Sequence, residues 1–446
     1  MTSFKIVTLG CRVNQYESAY IQERLLKAGW GLAEGPAPGD VIVVNTCTVT
    51  QGAAHQSRQV VRKAVRQNPG AFVVVTGCHV QIQADEVASI AGVGMVYGNH
   101  AKERLPDRLM EAIRLRREAI PLIKEVPTPP SAMDPMPISR FSERARAHLK
   151  IQDGCQSFCS YCIVPFARGP CRSLPPSDVI QALRRLTDMG YPEVVLTGIH
   201  LGKYGADLGD GRGLHRILTM VRDEKLPLRI RLSSLDPLEI HEDLIDLVAS
   251  EAWLCRHFHI PLQSGDKGIL RAMNRHYEPD DFAYLVARVK EKIPMASIGA
   301  DVMVGFPGED EQAFENTFSL IRDLPVSYLH VFPFSRRKGT AACDLANQIP
   351  PQVIKSRAAG LRALGSEKRT GFYRSCVGGT FMVVSEGWLS EERGLARGMT
   401  DNYVPVRFCS SQPHEGELVA VKVEQVTKDG VTGTCLGAPD ATLPQR

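Results

Sequence analysis

The chain has 446 residues, 43% of them hydrophobic and 23% charged, with a net charge of +4 and 12 cysteines. The length suggests roughly three domains, and the balance is that of a globular protein with ample core. The apolar runs VIVVN and FVVVTG are far too short to span a bilayer, and MTSFKIVTLGC enters a strand at once without a signal-peptide pattern. A cytoplasmic protein with no membrane partner is expected, its thiols serving metals rather than disulfides.

Residues 4–116 alternate short apolar runs with amphipathic stretches. FKIVTLG, DVIVVNTC, FVVVTGC and GMVYGN are Val/Ile-rich and bounded by Gly, Asn or Thr, as buried parallel strands are. ESAYIQERLLKAG, GAAHQSRQVVRKAVRQN and AKERLPDRLMEAIRL have helical spacing. The pattern predicts an α/β doubly wound parallel sheet. Cys11, Cys47 and Cys78 follow the first three strands, in LGC, NTC and TGC. The carboxyl ends of parallel strands share one edge, where ligands bind, so these thiols are expected to converge. A lone cysteine is usually a small buried hydrophobe. Three at successive strand ends point to a cluster site.

The Pro- and Met-rich stretch 118–147 lacks periodicity and reads as a linker. Next comes DGCQSFCSYC, in which Cys155, Cys159 and Cys162 stand as C-x-x-x-C-x-x-C. Three thiolates in one tight loop can hold three irons of a [4Fe–4S] cube and leave the fourth open. An open iron can chelate S-adenosylmethionine, and one electron then cleaves its S–C5′ bond to give a 5′-deoxyadenosyl radical. The competing ligand is zinc, which would want a further Cys/His pair at a regular offset, and none lies nearby.

HLKIQDG, EVVLTGIH, RIRLSSL, HFHIPLQ, SIGADVMVGFP and YLHVFPFS are six strands separated by helices. They predict an incomplete (β/α)6 TIM-type barrel, open on one side to a large substrate. Small and polar residues after these strands are the candidate cofactor-binding set: Tyr161 beside the cysteines, Gly198, Ser234, Asp236, Gln263, Asp301 and Gly305. Gly198 also fits an ordinary turn, and Asp236 before Pro237 fits a helix start. His257 and His259 alternate on one strand and are expected to be hydrogen-bonded core residues, since no third metal ligand stands at a fixed spacing.

From about residue 373 the pattern becomes TFMVVSE, GLARGMT, YVPVRF, ELVAVKVEQV and GVTGTCL, predicting a small antiparallel β-barrel. Cys376, Cys409 and Cys435 read there as core residues. This segment is not basic. The preceding helix QVIKSRAAGLRALGSEKRTGFYR is, with six Lys/Arg against one acid. Arg58, Arg62, Lys63 and Arg66 form a second basic stripe. A charge run is usually a solvated face, but two of them flanking an open barrel suit phosphate contacts.

TLGCRVNQYES, the C-x-x-x-C-x-x-C loop, SSLDPLEI, PLQSGDKGILRAMNRHY and DVMVGFPGED together resemble the radical-SAM methylthiotransferase family over essentially the whole chain. The resemblance implies an N-terminal methylthiotransferase domain at 1–117 with an auxiliary cluster on Cys11, Cys47 and Cys78. It implies a linker at 118–147, a radical-SAM barrel with the basic helix at 148–372, and a TRAM barrel at 373–440. It further implies two [4Fe–4S] clusters and S-adenosylmethionine as cofactors, with no catalytic side chain beyond the cluster ligands. A tRNA anticodon stem-loop and an electron donor such as flavodoxin or ferredoxin are the implied partners. TLGCRVNQYES and GMTDNYVPVRF are similar to the subgroup that converts N6-threonylcarbamoyladenosine beside the anticodon into its 2-methylthio derivative. Isopentenyladenosine in tRNA and an aspartate of a ribosomal protein are the alternative acceptors, and a non-catalytic RNA-binding metalloprotein is the alternative of another class. Arg12, Arg336, Arg337 and Lys338 are candidate partners for the carboxylate of a threonylcarbamoyl group. SRRKGTAA and GPCRSLP depart from the family pattern at Arg336, Lys338 and Leu174.

Overall fold

The structure is a computed structural model that describes residues 2–33, 35, 39–115, 122–138, 145–410 and 415–437. Strands β1 (Ser3–Thr8), β2 (Gly31–Leu32), β3 (Val41–Thr46), β4 (Phe72–Gly77), β5 (Val93–Tyr97) and β6 (Ile123–Glu125) form one parallel sheet in the order β2-β1-β3-β4-β5-β6. All of β3 and β4 is buried, which is why they read as unbroken apolar runs. Alternate residues serve two cores: Val41, Val43, Val74 and Met95 face one, and Ile42, Val44, Val73, Val75 and Val96 face the other. The strand order reverses between β1 and β3, a switch point of the kind where parallel sheets bind ligands.

The stretch 118–147 is more than a linker. It supplies β6 and buries Met133, Met136 and Ile138, and the Tyr16 hydroxyl donates to the carbonyl of Met136 at 2.6 Å. A three-residue strand is too short to leave a period in the sequence, so only tertiary pairing reveals it. Residues 118–121 and 139–144 of this stretch lie outside the described residues.

The central part holds β7 (Ala147–Lys150), β8 (Gln152–Asp153), β9 (Arg172–Ser173), β10 (Glu193–Thr197), β11 (Arg229–Leu232), β12 (His257–Gln263), β13 (Ser297–Val304) and β14 (Tyr328–Pro333). β8 and β9 pair antiparallel with each other. The other six form two parallel three-stranded sheets, β7-β10-β11 and β12-β13-β14, and Leu254, just ahead of β12, bridges to Ile230 of β11. One continuous core joins them to the N-terminal sheet.

The helix Pro351–Ser375 leads into β15 (Thr380–Ser390), β16 (Leu395–Thr400), β17 (Pro405–Cys409), β18 (Leu418–Thr427) and β19 (Gly430–Gly437), closed as a barrel in the order β15-β16-β17-β19-β18. It is not wholly antiparallel, as the alternating pattern suggested: β17 and β19 run parallel. The reason is geometric. Directions that alternate around a closed ring require an even number of strands, and five leave one parallel pair. Residues 438–440 lie outside the described residues. Among the described residues no helix is long and apolar enough to cross a membrane.

The C-terminal barrel is held to the central sheets by charge. Glu193, 0% exposed, accepts from Arg229 Nε at 2.6 Å and Arg231 Nε at 2.8 Å. The two guanidinium groups then donate to the carbonyls of Met382, Met399, Thr400 and Asp401 in the barrel. Burial works to raise the Glu193 pKa, and Arg231 and Arg229 outweigh it and hold the group well below the usual carboxylate range. Removing one partner of such a set strands a buried charge. Glu193→Ala is therefore expected to cost about 3–5 kcal/mol, read as a lowered urea midpoint and earlier proteolytic release of the C-terminal barrel.

Candidate functional site

The three N-terminal cysteines follow β1, β3 and β4 at one edge of the sheet. Cys11 precedes the helix Arg12–Lys27, and Cys78 opens the helix Cys78–Ala88. Cys47 stands just before the helix Gln51–Gln67, which Thr50 caps by accepting from Ala53 N. Helix N-termini carry partial positive charge and favour anionic sulfur. Gly10 has φ +97°, and a Cβ there would lie 2.9 Å from the Cys47 sulfur, so the glycine of LGC lets the two cysteine segments approach. Cys11 is exposed, while Cys47 and Cys78 are each 7% exposed. Burial pushes both buried thiols up.

A buried charge network backs these thiols. Glu17 meets Lys102 at 2.5 Å, Lys150 at 3.0 Å and Arg168 at 2.5 Å. Asp153 meets Lys150 at 3.1 Å and Arg168 at 3.4 Å. With Arg172, 3.9 Å from Asp153, four cations face two carboxylates, leaving positive charge in excess. Arg168 also donates to Asn14 Oδ1 at 2.6 Å, three residues beyond Cys11. Burial works against the Arg168 charge, and Cys78, Glu17, Asp153 and Cys11 outweigh it. The surplus positive charge sits where anionic sulfur would need it.

The second triad lies in a loop tied down from β12's side of the sheet. Asn274 Nδ2 donates to the carbonyls of Ser157 and Phe158, and Ser160 N donates to Met273 O. His200 Nδ1 lies 3.4 Å from Cys155 Sγ, and its Nε2 lies 2.7 Å from Glu239. Burial would raise the Cys155 pKa, and His200 outweighs it and lowers it. Burial dominates at Cys162, pushed up to about 12. Arg275 Nη1 lies 3.8 Å from Cys159 Sγ and is aimed by Asp236 at 3.0 Å.

Both triads open on one cavity of about 660 Å³, lined by Cys11 on one hand and Cys155 and Cys162 on the other. Of the candidate cofactor-binding residues, Gly198, Ser234 and Asp301 line it. The other four lie off its lining. Tyr161 packs edge-on to Phe306 at 6.5 Å, and Asp236 positions Arg275 and starts a short helix. Gln263 ends β12 at φ +63°, and Gly305 makes room for Ile354, which a Cβ would approach to 2.4 Å. Arg12 lines the cavity, whereas Arg337 is buried against Thr48, Arg336 donates to Cys343 O and Lys338 is exposed. Leu174, where the family pattern has arginine, is a core residue. His257 and His259 are hydrogen-bonded, as expected, but they line the cavity too, together with Tyr328, His330 and Tyr403. Tyr403 comes from a turn of the C-terminal barrel, so no sequence signal near the cysteines could have flagged it. The basic helix also divides: Arg357 pairs with Glu309 and Glu311, and Lys368 donates to Arg322 O and Leu324 O, which leaves Lys355, Arg362 and Arg369 as its exposed charges among these five.

The donor set fits iron–sulfur chemistry. Each site offers three free cysteines, a soft sulfur set of the kind that holds iron–sulfur clusters and leaves one iron open.

A profile described as uncharacterized protein family UPF0004 matches residues 3–98, and one described as the radical SAM superfamily matches residues 149–321. Over 428 residues the chain is 36% identical to the threonylcarbamoyladenosine tRNA methylthiotransferase MtaB of Bacillus subtilis (strain 168), covering 95% of this chain and 94% of that one. The chain belongs to the radical-SAM methylthiotransferase family. It is similar also to the tRNA-2-methylthio-N(6)-dimethylallyladenosine synthase of Clostridium tetani, at 30% identity over 97% of this chain and 96% of that one. Among solved structures it is similar in fold to the radical S-adenosylmethionine methyltransferase TsrM of Kitasatospora setae, with a TM-score of 0.57 at 14% identity, covering 86% of this chain and 78% of that one. The protein is a radical-SAM enzyme that uses S-adenosylmethionine and carries two [4Fe–4S] clusters.

Proposed function

We propose that the protein places a methylthio group on C2 of N6-threonylcarbamoyladenosine beside the anticodon of tRNA. The observation that carries this reading is the single cavity lined by cysteines of both triads. Sulfur transfer and radical formation need separate centres with a common substrate space, and one pocket bordered by both provides it. The curated relatives named for threonylcarbamoyladenosine reach 36% identity and those named for dimethylallyladenosine 30%, which favours the former acceptor.

In this reading Cys155, Cys159 and Cys162 hold the cluster that binds S-adenosylmethionine, and Cys11, Cys47 and Cys78 hold the auxiliary one. When bound, the two clusters supply the electron that cleaves S-adenosylmethionine and the sulfur that is methylated and transferred. The chain's own residues set the conditions. His200, oriented by Glu239, places Nδ1 within hydrogen-bond reach of Cys155 Sγ, and Arg275, oriented by Asp236, faces Cys159. Gly198 and Ser234 border the cavity beside Cys155 and suit the methionine or ribose part of the cofactor. Val13, Val49, Val164, Ile199 and Leu232 give the cavity an apolar lining that excludes water from a radical. No general acid–base pair is required for substitution at an aromatic carbon by a radical route.

The finer assignments belong to the same proposal. The two three-stranded sheets act as halves of a partial (β/α)6 barrel within residues 148–372. Residues 1–117 form the methylthiotransferase domain and 373–440 a TRAM domain. Exposed Lys355, Arg362, Arg369, Arg62, Lys63 and Arg66 offer phosphate contacts to the anticodon stem-loop. A flavodoxin or ferredoxin supplies electrons, and the setting is the cytoplasm.

The test is to incubate reconstituted enzyme with tRNAs carrying either modification and digest to nucleosides. The expected product is 2-methylthio-N6-threonylcarbamoyladenosine. Product on the isopentenylated tRNA alone would replace the acceptor and leave the chemistry standing.

A further inference from the structure

One arc of the cavity wall is polar and continuous, and of its members only Asp301 stands among the candidate cofactor-binding residues. The Tyr328 hydroxyl lies 2.8 Å from His257 Nε2 and 3.0 Å from His259 Nδ1. His259 Nε2 lies 2.9 Å from Asp301 Oδ1, which is 3.4 Å from His330 Nδ1. Tyr403 stacks on His257 with ring centroids 4.4 Å apart, and its hydroxyl accepts from Arg12 Nη2 at 3.2 Å. The arc therefore runs Arg12–Tyr403–His257–Tyr328–His259–Asp301–His330, with contributions from the helix that follows β1, the central sheets and the C-terminal barrel.

Three features mark it as a recognition surface. Arg12 is the only lysine or arginine lining the cavity among the described residues, and its partner is a hydroxyl rather than a carboxylate. Its charge is left for an incoming anion. His257 Nδ1 is buried without a hydrogen-bond partner, and such a group gains when a ligand supplies one. Tyr403 holds φ +65°, a backbone strain that non-glycine residues keep where surrounding contacts or function demand it. The trio His259, Asp301 and His330 has the make-up of a cation site, with ligand atoms within 4.8 Å of one another. However, both ring nitrogens of His259 already face partners, Tyr328 and Asp301, so the trio works as a hydrogen-bond chain.

We infer that this arc is the specificity subsite for a polar N6 substituent on the target adenosine, with Arg12 taking its carboxylate and the His259–Asp301–His330 chain its hydroxyl and carbamoyl group. The inference rests on the acceptor proposed above. An isopentenyl group would leave the arc's donors and acceptors desolvated and unpaired, which is the strongest form of discrimination a pocket has.

The experiment measures binding of synthetic anticodon hairpins carrying adenosine, N6-isopentenyladenosine or N6-threonylcarbamoyladenosine at the target position. Reconstituted wild type, Arg12→Gln, Asp301→Asn and His330→Leu proteins are compared at equal iron content per chain, which guards against a damaged site beside Cys11. Wild type is expected to prefer the threonylcarbamoylated hairpin to the unmodified one by about 10-fold or more, from one charge-assisted contact. Arg12→Gln should remove most of that preference while leaving affinity for the unmodified hairpin within about twofold. His330→Leu, at an exposed position that folding tolerates, should reduce it in part. If the variants weaken all three hairpins equally, or leave the preference intact, the subsite is wrong while the acceptor stands. If wild type prefers the isopentenylated hairpin, the acceptor itself is wrong.

Discussion

Replacing Cys155, Cys159 and Cys162 together by alanine is expected to lower bound iron from about eight to about four atoms per chain and to abolish release of 5′-deoxyadenosine. The loop should survive the change. Its shape is fixed by Asn274 on the carbonyls of Ser157 and Phe158 and by Ser160 on Met273, none of which involves a thiol. The N-terminal triad lies in a separate sheet, and the residues flanking this loop that back it, Asp153 and Arg168, are untouched by the change, so its share of iron should remain. Iron and acid-labile sulfide are assayed after anaerobic reconstitution, and S-adenosylmethionine cleavage is followed under strong reductant. A triple variant that keeps all its iron would remove these cysteines from the ligand set.

The complementary variant should behave in the opposite sense. With Cys11, Cys47 and Cys78 changed to alanine, 5′-deoxyadenosine should still form under reductant, while methylthiolated nucleoside falls below detection. The physical basis is the separation of roles across the cavity. Cys155 and Cys162 border it from the central sheets beside Gly198 and Ser234, and Cys11 borders it from the N-terminal sheet. The positive charge around Arg168 faces the N-terminal set through Glu17 and Asn14. Cys47 and Cys78 are buried, so their truncation costs packing as well as ligands. A thermal melt therefore accompanies the assay, and loss of 5′-deoxyadenosine from a folded variant with half its iron would refute the division.

Much of this site was legible because its chemistry is local. The C-x-x-x-C-x-x-C loop brings three thiols together by spacing alone, and the glycine before Cys11 and before Cys78 marks strand ends that must bend sharply. The parallel strands were equally plain, since burial on both faces writes unbroken Val/Ile runs into the chain. The candidate cofactor residues fared unevenly for a related reason. Strand ends can be read from sequence, but whether a given side chain there faces the cavity, as Ser234 does, or aims a neighbour, as Asp236 does with Arg275, depends on packing.

What the sequence determined by itself was the two sets of thiols, the order of sheets and helices, and the family to which they belong, because each is carried by contiguous residues or a short period. Tertiary structure alone decided the rest. It set the parallel pair that closes a five-stranded ring, the edge strand hidden in the supposed linker and the internal pairing of Arg357 and Lys368 in a helix that reads as uniformly basic. It also assembled the polar arc in which Arg12 and Tyr403 meet across 391 positions of sequence. A contact between distant residues leaves no local pattern, since neither partner's neighbours need to differ from those of an ordinary helix start or turn.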